Sequence, residues 1–260
     1  MVIKAFVVGA VVCGVLGLAA CDSDSSSTSN SGNNSNLGSD LSAETKALGI
    51  KAVPATLSAT YSAALNFNRY LAVKAPNGKP IHLVAQNKLT DNQILRAQAI
   101  LNHYLTDLPG STFGSDKSTV ANKMADNGAI LLLLNGSDDG SNSAANLNGQ
   151  PLYQNEIQVE GGRWYINQDF EQHRDASFEE ILHMVHDYGI GVDQGSEFIG
   201  ALPGFQAQIR SAQITALNDK LWGGDANWIS ELTAENSLSQ EYLASVVDAY
   251  YGLWGAWAGS

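Results

Sequence analysis

Glu179-Glu180-Ile181-Leu182-His183 sets two metal-ligating side chains four residues apart, with a second carboxylate next to the first. On a helix, positions i and i+4 share a face, so Glu179 and His183 can aim at one metal ion. Glu180 then stands beside them as a general base for a water on that ion. A catalytic zinc site takes three protein ligands and keeps a fourth position open to water. A third ligand must therefore come from elsewhere in the chain. His186, one turn past His183, offers an alternative ligand at i+3 spacing or a hydrogen bond near the helix end. Asp187 is placed either to orient His183 or to sit in solvent.

Each of these residues also has a role that needs no metal. Ser177-Phe178-Glu179-Glu180 is an S-x-x-E capping box, in which Ser177 would cap the helix and Glu180 would reach back to the cap. In that arrangement both glutamates merely favour a positive helix N-terminus. If Asp175 caps the helix instead, both move into its second turn and the catalytic reading gains. His183 alone could be a core histidine with a hydrogen-bond partner. His82, His103 and His173 lack partners at metal-ligand spacing and read as structural or exposed.

The elements that must position this helix are legible around it. Tyr70-Leu71-Ala72-Val73 and Ile81-His82-Leu83-Val84 flank the turn signal Pro76-Asn77-Gly78 and predict a β-hairpin. Thr90-Asp91 caps a periodic segment carrying Ile94, Leu95, Ala97, Ile100, Leu101, Tyr104 and Leu105, closed by Pro109-Gly110, which predicts an amphipathic helix. Residues 128–134 form an apolar run bounded by Gly and Asn and predict a buried strand. Residues 135–149 read as a polar loop, whose Asp138-Asp139-Gly140 falls short of a calcium-loop spacing. A second hairpin is expected over residues 157–167, turning at Gly161-Gly162, with Arg163-Trp164-Tyr165-Ile166 as its second strand. Helices follow over residues 177–188, 205–221 and 239–253. Tyr250, Tyr251, Trp254 and Trp257 recur at roughly helical spacing and are expected in the core. The fold class is α+β.

At this point the chain resembles the zincin-like, gluzincin-type metallopeptidases, with an active helix of the form H-E-F-A-H-x-[IV]-H-[DE]-x-G-[LI] and a later helix beginning E-Y-[WF]-A-E. Residues 181–190 match the first pattern after its opening position, and Glu241-Tyr242-Leu243-Ala244 matches the second. Lys220-Leu221-Trp222 resembles the Gly-Leu-Trp that lies between them. Upstream, Tyr70-Leu71, Gly78-Lys79-Pro80-Ile81 and the helix ending before Leu108-Pro109 fall in similar order, so the resemblance spans residues 66–257. It implies a zincin-like fold, Zn2+ held by Glu179, His183 and Glu241, Glu180 as base, and an extended peptide pairing with an edge strand at residues 163–167. Two positions depart from the pattern: Glu179 replaces the first histidine, and Ser245 the second acidic residue after Glu241. Two carboxylates neutralise the ion's formal charge, so its water would be acidified less. A rise in that water's pKa from about 7 toward roughly 9 would lower hydroxide at neutral pH on the order of a hundredfold. Glu180 could offset part of this by taking the proton during attack. Without a metal, Glu241 is a first-turn acid favoured by the helix dipole after Ser237 or Ser239.

The N-terminus says where such a protein would work. Lys4 precedes an apolar, small-residue run that ends in Leu18-Ala19-Ala20-Cys21, a bacterial lipoprotein signal over residues 1–20 with Cys21 as the acylated mature N-terminus. Residues 21–40 are dominated by Ser, Asn, Asp and Gly and form a flexible tether, and residues 41–260 are the folded domain. Asp22 directly after the cysteine resembles an inner-membrane retention signal, which leaves inner and outer membrane open. The protein is expected to be lipid-anchored in the bacterial envelope, facing the periplasm. Cys13 and Cys21 are the only cysteines, so the mature chain has no disulfide framework. Loss of Lys4 with the signal takes the formal net charge from −12 to about −13, which disfavours nucleic acid as a partner. Two functions remain: a tethered hydrolase acting on a peptide or protein substrate, and a pseudoenzyme that keeps the fold for binding or for envelope structure. Glu179 favours the second, and Glu180, His183 and Glu241 favour the first.

Overall fold

The computed structural model describes residues 41–167, 175–192 and 200–253. The signal, Cys21, the tether, His173, Trp254 and Trp257 lie outside them. The hairpin forms as its sequence indicates, from strands β1 (Phe67–Lys74) and β2 (Pro80–Gln86), paired antiparallel with Val73 opposite Ile81. Gly78 takes a left-handed φ of 85°, which the turn requires and glycine adopts without strain. Helix α2 (Asp91–Leu105) begins with a full capping box. Thr90 accepts from the Gln93 N–H at 3.2 Å, and Gln93 Oε1 accepts from the Thr90 N–H at 3.0 Å. The buried run becomes β3 (Ile130–Leu134), and β4 (Gln150–Tyr153) completes a sheet in the order β1-β2-β3-β4, with β2, β3 and β4 parallel.

Alternation along these strands divides the core between two faces. Leu71, Ile81, Leu83, Leu131, Leu133 and Leu152 meet α2, α3 (Ser118–Asp126) and α5 (Ser177–Val185). On the other face Phe67, Val84, Ile130, Leu132, Leu134 and Tyr153 are covered by Tyr61 and by Ala144 of a short 3-10 turn, Ser143–Asn146. Every residue of β3 is buried, so that strand reads as continuous leucine and isoleucine without a polar partner. The remaining helices are α1 (Ala43–Ala47), α4 (Arg163–Asn167), α6 (Pro203–Asn218), α7 (Ala226–Glu235) and α8 (Leu238–Tyr251). The architecture is α+β with a mixed four-stranded sheet. No helix among the described residues is long and apolar enough to cross a membrane.

The expected second hairpin does not form. Gly162 turns the chain, and its carbonyl accepts from the N–H groups of Tyr165 at 3.1 Å and Ile166 at 2.9 Å, closing a helical turn where a strand was expected. Three residues of aromatic and β-branched character, Trp164, Tyr165 and Ile166, fit either state, and a strand there would still need a partner to pair with. The sheet edge beside α5 is β4, with Pro151 where an edge strand tolerates it. Tyr250 and Tyr251 are also not core: they are 79% and 70% exposed at the end of α8.

After α5 the helix widens into one π turn, His186–Ile190, closed by the bond from the Gly191 N–H to the His186 carbonyl at 2.8 Å. Gly189 in this turn lies against α3. A Cβ there would meet Met124 Cγ and Val120 Cγ1 at 2.8 Å, so glycine permits the close approach.

Candidate metal centre

Helix α5 starts one residue earlier than the capping box requires, and Glu179 and Glu180 stay in its first turn. Ala176 is the cap residue and makes no side-chain bond, while Ser177 lies inside the helix. The Ser177 N–H donates to Asp175 Oδ1 at 3.1 Å and its hydroxyl donates to the same oxygen. Asp175 is held in turn by Arg96 of α2, with Nη2 at 2.5 Å from Oδ2, and the same guanidinium lies 5.7 Å above the Phe178 ring. The capping box of Ser177 and Glu180 is therefore not made. Glu180 Oε2 instead accepts from Gln150 Nε2 of β4 at 2.8 Å.

Glu179 and His183 fall on one buried face of α5, 8% and 7% exposed. Helix α8 packs against that face and delivers Glu241, whose N–H is spent on the Ser237 carbonyl at 3.1 Å. One ligand atom from each of Glu179, His183 and Glu241 lies within 4.8 Å of the other two. His183 Nε2 and Glu241 Oε1 are 3.4 Å apart, with side chains 9% and 16% exposed. That is longer than a charge-assisted hydrogen bond of about 2.7–2.9 Å. It matches the roughly 3.3 Å between two ligands of a tetrahedral zinc with bonds of about 2.0–2.1 Å. Two carboxylates and one imidazole meeting where water is scarce fit a divalent cation, which offsets the burial of negative charge. The residues present thus suit Zn2+, with nitrogen and oxygen ligands in the number that a catalytic site uses.

The electrostatics nearby agree. Tyr104 of α2 donates to the Phe178 carbonyl at 3.0 Å, and its phenol is held well above the usual tyrosine range. Burial is the main cause, followed by the charges of Asp248, Tyr251 and Glu179. The same corner of the protein therefore gathers negative charge from α5 and α8.

His186 does not join the three ligands. Its Nε2 lies 2.6 Å from Gln206 Oε1 of α6, and Gln206 Nε2 donates to Ser239 Oγ of α8 at 2.9 Å. The rescue role at i+3 gives way to a helix-to-helix bond, because the π turn sets His186 toward α6. Ser245, which stands where the resembled pattern has an acid, donates to the Glu241 carbonyl at 2.8 Å and accepts from Trp222 Nε1 at 3.1 Å. It braces the ligand's own turn without offering a charge. Gln150 and Gln206 were not legible as site residues. Glutamines carry no spacing signature, and their partners come from other elements. His82 bonds Tyr70 across the hairpin at 2.9 Å and His103 is exposed, both away from the cluster. In comparisons with known proteins the chain matches no family model, no curated protein and no solved structure.

Proposed function

We propose that this chain is a zincin-like metallopeptidase homologue, tethered to the bacterial envelope through an acylated Cys21, that hydrolyses peptide bonds with weakened zinc chemistry. The convergence of Glu179, His183 and Glu241 to within 4.8 Å carries the reading. Those three side chains would hold the ion, which when bound supplies a Lewis acid for a carbonyl oxygen and acidifies a water. Glu180 takes the proton from the attacking water and returns it to the leaving amine, its carboxylate steadied by the Gln150 amide at 2.8 Å. Strand β4, which carries Gln150 and forms the sheet edge beside α5, replaces residues 163–167 as the element an extended peptide would pair with. One observation favours the second reading, a pseudoenzyme serving as an envelope binding or structural module: Glu179 gives the ion two anionic ligands.

Metal analysis separates the two. Expressed with zinc, the wild-type chain should carry one equivalent, and Glu179→His should bind more tightly and hydrolyse peptides faster. Removing one anionic ligand restores acidity to the water, a gain on the order of a hundredfold at most. If wild type carries no stoichiometric zinc and Glu179→His gains neither metal nor activity, the hydrolase reading fails.

A further inference from the structure

The ligands of the proposed centre stand on two helices, and three buried side chains that are not ligands join those helices. His186 follows His183 by three residues, Ser239 precedes Glu241 by two, and Gln206 of α6 bridges them. Their exposures are 1%, 0% and 6%. An amide oxygen only accepts, so His186 donates from Nε2 to Gln206 Oε1, and the amide nitrogen passes its own hydrogen to Ser239. A buried chain of this kind is directional, and breaking its middle link removes one bond from each of the two neighbouring helices.

We propose that Gln206 is a positioning residue for the metal centre: by holding His186 and Ser239 it fixes the separation between His183 on α5 and Glu241 on α8. The inference rests on the zinc reading above. It follows from the tolerance of the site. Two ligands 3.4 Å apart on separate elements keep that spacing only if the elements cannot slide, and packing alone permits sliding more readily than directed hydrogen bonds do. The π turn adds to this, since it directs His186 at α6 while His183, one turn earlier, faces Glu241. The bonds of Gln206 to His186 and Ser239 act on the ion through the spacing of α5 and α8.

Zinc affinity of the full chain, measured by competition with a chromophoric chelator, tests the idea against stability measured on the same samples. Gln213→Leu is the control: Gln213 lies on the same helix, 1% exposed, and its Oε1 has no hydrogen-bond partner among the described residues. Gln206→Leu should bind zinc about tenfold more weakly than wild type, as expected for partners outside the ligand shell, while Gln213→Leu keeps wild-type affinity even where it lowers the melting temperature. Should Gln206→Leu fail to fold, Ser239→Ala removes one hydroxyl from the chain and should weaken zinc by about threefold or more. The double variant of Gln206→Leu and Ser239→Ala should bind no more weakly than Gln206→Leu, because both break one chain. Zinc binding by wild type together with losses under about threefold in both single variants, or additive losses in the double variant, overturns the positioning role alone. A wild-type chain that takes up no zinc overturns the metal reading and this inference with it.

Discussion

The sheet half of this protein buries mainly hydrocarbon, whereas the helical half buries polar and charged groups beside its apolar ones. Strand β3 is sealed by Ile130, Leu131, Leu132, Leu133 and Leu134, which make no side-chain hydrogen bonds. Among the described residues, nine of the twelve buried polar or charged ones lie from Ser177 onward, including Glu179, His183, His186, Gln206, Ser239 and Asp248. A core of hydrocarbon is stabilised by area and shape, whereas a core of carboxylates, imidazoles and amides holds only if each group is satisfied. The first kind makes a scaffold. The second is retained where the groups themselves have work, and its stability is given up in part for that.

Four measurements press on this contrast. Leu133→Ala in the sheet should lower unfolding free energy by roughly 2–5 kcal/mol in a urea titration and leave zinc affinity of the folded chain unchanged. A loss under about 1 kcal/mol would mean that the scaffold is not where stability resides. His183→Ala should do the reverse. It should abolish zinc uptake and any zinc-dependent rise in melting temperature, which for wild type corresponds to about 4 kcal/mol at a zinc concentration of 1,000 times Kd, while the zinc-free chain melts close to wild type. A zinc-free His183→Ala chain that failed to fold would make the imidazole part of the scaffold after all.

Arg96→Met probes the seam between the halves, because Arg96 reaches from α2 to the Asp175 carboxylate that holds the start of α5. Loss of a hydrogen bond to a charged group should cost about 1.5–3 kcal/mol, with a smaller loss of zinc affinity than Gln206→Leu. The smallest effect is a pH dependence in the sheet. Burial holds the His82 imidazole below its ordinary 6.5, so the fold favours the neutral ring. The unfolded chain then binds the proton first, and the stability His82 contributes is complete above about 6.5 and declines as pH falls below it. His82→Gln should flatten that part of the urea midpoint between about pH 7 and about pH 5. An unchanged slope would assign the acid sensitivity to other groups.

Glu179, Glu180 and His183 were legible because their relation is local: one turn of helix fixes which face each occupies, and apolar Ile181 and Leu182 make that helix amphipathic. The hairpin, the cap at Thr90 and the buried run at β3 were legible for the same reason, each being written within about fifteen residues of itself. Residues 163–167 misled because five residues of mixed propensity carry no period, and whether they extend depends on a partner strand that the fold supplies elsewhere. Helices α3 and α7 are short, and β4 holds only four residues with a proline among them. Their signals are weaker than the packing that decides them. The start of α5 depends on Arg96, which lies far upstream and holds the Asp175 carboxylate that accepts from the Ser177 N–H and hydroxyl. Glu241 beside His183 and Gln206 between His186 and Ser239 are also meetings of distant segments. The sequence determined which chemistry each element could carry; only the packing of α5, α6 and α8 decided which side chains share a site, because separations of a few ångströms between helices are set by the whole core.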